Sequence, residues 1–201
     1  MYIKFFKPVI DFLLALIVII LLSPVLIITA VCIKLDSKGP VLFKQTRLGK
    51  NEKEFMLYKF RSMTDKDRSK SEHQVFEGDP EITKVGQFIR RTKIDELPQL
   101  LNILKGEMAI IGPRACLPKV KSYFGQYSEI RFKVKPGLSS LAALHGSIFL
   151  SWEEKGYWDK YYVEHISFIT DIKVIAGTVK VILIGEEKLF NKKNSNGNKT
   201  I

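Results

Sequence analysis

The stretch Arg90-Arg91-Thr92-Lys93-Ile94-Asp95-Glu96-Leu97-Pro98-Gln99-Leu100 sets two adjacent carboxylates behind three basic residues and ahead of an apolar series, Leu100, Leu101, Ile103 and Leu104. Pro98 suits the first turn of a helix, where a missing N–H costs nothing. A helix is therefore expected to begin at or near Asp95 and run to about Leu104, ended by Lys105-Gly106. Acids there would meet unpaired N–H groups and the positive end of the dipole, surroundings that keep a carboxylate ionised and also suit a bound phosphate. The plainer alternative stays open at this point: Asp95 an ordinary N-cap, Glu96 a first-turn charge.

Other basic side chains are placed to serve an anion. Arg90 falls at the end of the preceding helix. It either complements that helix's dipole or clamps a phosphate beside Asp95 with its planar fork. Lys59 and Arg61 sit at strand spacing on one face, either near a substrate or as a solvated basic edge. Arg114 follows Gly112-Pro113 in a sharp turn. Glycine there lets backbone approach a ligand closely and the arginine supplies a fixed charge, unless the turn is an ordinary surface one.

The elements that must hold these residues read as follows. Val41–Gln45 and Phe55–Phe60 are short strands joined by the hairpin loop Gly49–Lys53. Thr64–Asp79 is polar, with little periodicity, and is expected to be a lid-like loop. Asp79-Pro80-Glu81 should start a helix with Ile82, Val85 and Ile89 on its apolar face. Met108–Ile111 is a short buried strand, and Tyr123–Ile130 is expected to be helical. Ser151-Trp152-Glu153-Glu154 is a capping box before an aromatic-rich helix. From Ser167 a second helix carries Ile172, Ile175, Val179 and Ile182 on one face, which suits an interfacial position. Residues 186–201 are polar and expected to be disordered.

Ahead of all this, Val9 to Ile33 is almost wholly apolar, and about 20 such residues in a helix cross a bilayer. A cleaved signal peptide is not expected, because the run is too long. Ser23-Pro24 interrupts it. Proline there removes a backbone hydrogen bond, and Ser23 can help satisfy the freed carbonyl. Lys4 and Lys7 flank one end, and Lys34, Lys38, Lys44 and Arg47 follow the other. A straight span must put one positive end outside, whereas a bent hairpin re-entering on one side keeps both in the cytoplasm. Proline kinks also occur in true spans, so the residues leave hairpin and span both open.

Phe60-Arg61-Ser62-Met63, then Ile94–Leu100, then Ile111-Gly112-Pro113-Arg114, then Lys135-Pro136-Gly137 come in an order that resembles the bacterial sugar transferases, the monotopic phosphoglycosyl transferases. The resemblance runs from the apolar segment to about Val181, and the length matches the small PglC-type members. It implies a helix-dominated α+β fold. Residues 1–35 would be a re-entrant membrane hairpin, helix-break-helix, broken at Ser23 and Pro24. Residues 36–185 would be a small α/β catalytic domain with short strands and interfacial amphipathic helices, on the cytoplasmic face of the bacterial inner membrane. It further implies transfer of a phosphosugar from a UDP-sugar to polyprenyl (undecaprenyl) phosphate, giving polyprenyl-diphosphate sugar and UMP, the first membrane step of glycoconjugate assembly. Asp95 would be the covalent nucleophile and Glu96 a ligand of Mg²⁺, with Arg90, Arg114, Lys59 and Arg61 at the phosphates. Membrane lipid is an implied partner, and downstream glycosyltransferases are compatible ones. The family's usual run after the glycine is Ile-Thr-Gly, then a Gln, then Gly-Arg; here Leu138–Ser147 lacks both the glutamine and the arginine. Sugar or nucleotide selectivity is expected to be set there.

Formal net charge is +11, from 32 basic and 21 acidic residues, which favours anionic partners. A membrane-tethered nucleic-acid binder would share that charge, but no recognised motif or basic recognition helix is present and no nucleic acid is expected as a partner. A catalytically impaired scaffold of the same fold is the other alternative, motivated by Leu138–Ser147. Cys32 and Cys116, and His73, His145 and His165, stand in no metal-like spacing.

Overall fold

The computed structural model describes residues 1–64, 79–146 and 149–185. The loop expected over Thr64–Asp79 and the polar tail 186–201 lie outside the described residues, Thr64 and Asp79 apart. The chain opens with a π-helical turn, Tyr2–Phe6, that runs straight into α1, Lys7–Asp36. Pro24 lies inside α1 without ending it, so the expected break at Ser23-Pro24 is not an interruption of the helix. The reason is local. Pro24 cannot donate to the carbonyl of Ile20, and the Ser23 hydroxyl donates to it instead at 2.8 Å.

With 30 residues α1 is about 45 Å long. Lys7, Asp11, Ala15, Thr29 and Ile33 are buried, and Val18, Ile19, Leu26 and Ala30 are packed beside them. Steps of three, four and, from Ile19 to Leu26, seven residues keep these positions on one stripe along the helix. The other faces expose Phe12, Leu13, Ile17, Ile20, Leu21 and Ile28, among others. Apolar surface on that scale has no place in water and marks α1 as membrane-associated.

Both ends of α1 are tied to the rest of the chain. Near its start, Lys7 Nζ donates to Asp171 Oδ2 at 2.8 Å, and the Ile110 N–H donates to Asp11 Oδ1 at 3.2 Å. At its end, the Val85 N–H donates to Asp36 Oδ2 at 3.0 Å. Arg61 Nη2 donates to the Ser37 carbonyl at 2.7 Å, the Ser37 hydroxyl at 3.0 Å and the Ile33 carbonyl at 3.3 Å. Removing one member of a buried ion pair such as Lys7–Asp171 costs about 3–5 kcal/mol, because the other is left charged and dry.

Two small sheets follow. β1, Leu42–Leu48, pairs antiparallel with β2, Glu54–Phe60, each a little longer than or offset from the expected strand, across a 3₁₀ turn at Lys50–Glu52. β3, Ala109–Ile111, lies parallel to β4, Gly137–Ser139. Between the sheets come α2, Lys84–Arg91, a 3₁₀ segment, Ile94–Gln99, and α3, Leu100–Leu104. The helix expected from Asp79 starts later. Asp79 Oδ1 accepts from the Glu81 N–H and its carbonyl from Ile82, which makes a turn, and Thr83 is the true N-cap, accepting from the Gly86 N–H at 2.9 Å. A 3₁₀ segment at Pro118–Tyr127, turned at Gly125, leads into α4, Ser128–Arg131, where one helix was expected. After β4 come α5, Leu141–Leu144, α6, Trp152–Glu164, and α7, Phe168–Ile184. The expected Ser151–Glu154 capping box is formed, and α7, the helix expected from Ser167, is capped by that residue.

Ala15, Phe55, Leu57, Leu100, Ile103 and Met108 form a core where α1, β2 and α3 meet. Ile33, Phe60 and Ile89 form another under α2, and Ile111, Tyr162 and Val174 a third under β3. β3 and β4 approach closely at glycines. A Cβ on Gly112 would fall 2.5 Å from the Lys135 carbonyl oxygen, and one on Gly137 would collide with the backbone of Gly112 and Ser139. Gly137→Ala is therefore expected to destabilise the fold by at least about 2 kcal/mol. Thermal unfolding in detergent checks this; an unchanged midpoint would mean that the two strands separate freely.

Candidate active site

Asp95 and Glu96 lie in the first turn of the 3₁₀ segment Ile94–Gln99. Lys93 precedes them in the left-handed conformation, φ 59°, which brings its carbonyl to the Glu96 N–H at 3.2 Å. The expected α-helix at this point is six residues of 3₁₀, too short for a useful dipole, with α-helix resuming only at Leu100. The electrostatics come from side chains instead. Lys59 Nζ donates to Glu96 Oε1 at 2.8 Å. Arg114 grips the same carboxylate with both terminal nitrogens, Nη2 on Oε1 and Nη1 on Oε2, the latter at 3.3 Å.

This arrangement is set by a few buried contacts. Asn102, fully buried in α3, accepts from the Tyr58 N–H at 3.2 Å and donates to the Met56 carbonyl and to Glu107, each at 2.7 Å. It fastens α3, and with it the acidic pair, to the strand that carries Lys59. Arg114 is placed by its backbone: it bridges to Gly137, and its carbonyl accepts from Arg131 Nη2 at 2.7 Å. Arg131 is itself buried, with its guanidinium 3.5 Å above the Phe124 ring and Nε 3.1 Å from Asp159 Oδ2.

The two acids are driven apart electrostatically. Burial pushes Asp95 up from the usual carboxylate range, while Lys59, Arg90 and Lys93 pull it back and Glu96 pushes it further up. Burial acts on Glu96 too, but Arg114 and Lys59 outweigh it and hold Glu96 well below the ordinary range. The helix terminus expected to keep Asp95 ionised is thus not what sets it: burial makes it more basic than an exposed aspartate. Adjacent carboxylates displaced in opposite directions have separate chemical roles. Glu96 is a fixed anion; Asp95 is the more readily protonated of the two.

Of the expected phosphate residues, the structure gathers Lys59, Arg90 and Arg114 around the pair. Arg61 is elsewhere: its Nη2 is spent on the last carbonyls of α1, and its side chain is buried. The cause is the end of β2 at Phe60, after which the face shared with Lys59 is no longer maintained. Two further cations face Arg114. Burial lowers Arg47 to about 10, helped by the charge of Arg114, and the same two causes lower Lys155. Sequence reasoning missed both. Arg47 lies two positions along β1 from Gln45, to which it donates at 2.6 Å, and strand alternation through Gln45 and Arg47 was the available signal. Lys155 had none beyond its place after the capping box.

A hard divalent cation would find oxygen donors here. Among the described residues no group of three or more acidic, histidine or cysteine side chains is poised for a metal. Mg²⁺, however, takes one or two carboxylates and completes its shell with water and phosphate oxygens. Asp95 and Glu96 fit that small donor set, with Glu96 Oε2 the less tightly held of its two oxygens. In the divergent segment, Ser140 caps α5 through the Ala143 N–H, and His145 stacks on Trp158 with 3.5 Å between ring centres.

A carboxylate pair, Asp95 buried and Glu96 partly so, thus lies inside a cluster of cations near a membrane-associated helix. The sequence model described as bacterial sugar transferase matches residues 2–185, and the chain belongs to that family. The chain is 40% identical over 164 residues to an uncharacterised sugar transferase of Bacillus subtilis, covering 82% of this chain and 80% of that protein. It is 40% identical over 190 residues to a UDP-N-acetylgalactosamine-undecaprenyl-phosphate N-acetylgalactosaminephosphotransferase of Aeromonas hydrophila, covering 90% of this chain. It is 39% identical over 180 residues to a UDP-glucose:undecaprenyl-phosphate glucose-1-phosphate transferase of Escherichia coli, covering 84%. It spans 44% and 38% of those two longer relatives.

Asp159 gives this scaffold a pH dependence. Burial raises its carboxyl to about 6, with Arg131 opposing. A carboxyl raised on folding favours the fold when protonated, so its contribution is full below about pH 4 and lost as pH rises through about 6. The difference amounts to about 3 kcal/mol. The unfolding midpoint of the wild type minus that of Asp159→Asn is expected to fall between those pH values. A constant difference would show that Asp159 does not titrate in that range.

Proposed function

We propose that this chain transfers a phosphosugar from a UDP-sugar to a polyprenyl phosphate, in two displacements at one phosphorus. The observation that carries the reading is the buried Asp95 carboxylate, raised by burial, beside a Glu96 locked between Lys59 and Arg114. Asp95 attacks the phosphorus that bears the sugar; the bond to the UMP oxygen breaks, UMP leaves, and an aspartyl phosphosugar remains. An oxygen of polyprenyl phosphate then attacks the same phosphorus and releases Asp95, giving polyprenyl-diphosphate sugar. Arg90, Lys93 and Arg114 offset the repulsion between Asp95 and the incoming diphosphate, and Arg47 and Lys155 extend that positive field. Glu96 has a second role: its fixed charge holds Lys59 and Arg114 in place between substrates. Mg²⁺, when bound by Glu96 and Asp95, would neutralise diphosphate charge. The names of the Aeromonas and Escherichia relatives support the donor and acceptor classes.

Incubation with UDP-sugar and Mg²⁺ but no lipid should release up to one UMP per enzyme and add the phosphosugar mass to the peptide holding Asp95. Asp95→Asn should abolish both and remain folded. An adduct on another residue, or normal turnover of the variant, would refute the covalent route, and full turnover in excess chelator would exclude the metal.

We also propose that α1 re-enters the membrane on the cytoplasmic side, with residues 1–35 as the membrane element and 36–185 as the catalytic domain. What supports it is that Lys7 and Arg61 fix opposite ends of α1 to the same domain. Cysteines introduced at positions 4 and 38 should both resist an impermeant reagent applied outside the cell. Labelling at position 4 alone would establish a span.

A further inference from the structure

A cavity of about 250 Å³ lies between the first half of α1 and the start of α7, beneath β3. Ile10, Leu14, Ile110, Ile111, Ile172 and Ile175 supply most of its wall. Tyr2, Asp11 and Asp171 stand at its polar edge, yet their bonding capacity is used internally. Asp171 Oδ2 accepts from Tyr2 at 2.6 Å and Lys7 at 2.8 Å, and its Oδ1 from Tyr162 at 2.7 Å. Asp11 accepts from the Ile110 N–H and pairs with Lys7 at 3.4 Å. A polar ligand would gain little here and lose its water. An apolar one would fit: a dry cavity of about 150 Å³ lined by such side chains holds a benzene ring.

Two features identify the occupant. The helices that form the cavity present apolar side chains on their outer faces too, Val9, Leu13 and Ile17 on α1 and Phe168, Ile169 and Leu183 on α7. An apolar chain would therefore reach it from the membrane. Its roof, Ile110–Ile111, continues directly into Gly112-Pro113-Arg114, and three residues span at most about 10 Å. A lipid whose phosphate met Arg114 would have its first carbons beside Ile111. A phospholipid carries its acyl chains on a glycerol set away from its phosphate, whereas in a polyprenyl phosphate the chain begins at the phosphate itself. We infer that the cleft between α1 and α7 binds the first isoprene units of the acceptor polyprenyl phosphate, and so orients its phosphate toward Asp95. The inference rests on the acceptor proposed above.

The test is photolabelling of the wild-type protein in detergent with a polyprenyl phosphate carrying a diazirine on its first isoprene units. Adducts should map to Leu14, Ile172 or Ile175, disappear with excess unlabelled polyprenyl phosphate and persist with excess phospholipid. Adducts confined to other segments, or equal competition by phospholipid, would overturn the assignment. A companion variant, Ile172→Trp, fills the cleft. It should raise KM for polyprenyl phosphate about tenfold with kcat and the KM for UDP-sugar retained; an unchanged lipid KM in a folded variant also overturns it. Labelling requires no turnover. A chain that labels in the cleft yet transfers no phosphosugar would refute the reaction and leave the cleft, while turnover with labels elsewhere would do the reverse.

Discussion

Glu96, held from two sides by Lys59 and Arg114, is the contact on which the site depends. Lys59 comes from β2, Arg114 from the turn after β3, and Glu96 from the 3₁₀ segment between them, so one carboxylate joins three separate parts of the chain. A buried carboxylate is tolerable only when paired. The pairing also leaves Asp95, its neighbour, without the strongest cation contacts. That asymmetry makes Glu96 a strut and leaves Asp95 the more basic of the two, although both sit in the same turn.

A chain of supports stands behind this contact. Asn102 ties α3 to β2, Arg131 holds the Arg114 carbonyl, and Asp159 holds Arg131. Buried hydrogen-bond networks of this kind fix geometry as well as stabilise it. The glycine contact between Gly112 and Gly137 belongs to the same scheme, since any side chain there would push the strand leading to Arg114 away from Glu96.

Much of this could be read in the sequence. The Asp95-Glu96 pair, the Gly112-Pro113-Arg114 turn, the β1–β2 hairpin and the caps at Ser151 and Ser167 depend on neighbours within a few residues, and local chemistry announces them. What escaped depends on distant partners. Arg61 looked like Lys59's companion, but its partners at Ile33 and Ser37 lie 28 and 24 residues away. Arg131 and Asp159, 28 residues apart, gave no sign of their pairing, nor did Arg47 and Lys155 of their closeness to Arg114. The helix terminus expected to tune Asp95 proved to be a short 3₁₀ turn, because the left-handed Lys93 sets up a tighter coil than the proline pattern alone suggests.

The ion pair between Lys7 and Asp171 joins residues 164 positions apart. At about 5–20 residues per second, roughly 8 to 33 seconds of synthesis separate their appearance at the ribosome. Through that interval α1 must wait with its lysine answered by Asp11, one turn away. The seating of α1 is thus completed by a segment made well after it, and a nascent chain stalled before α7 would carry a membrane helix still without its final anchor.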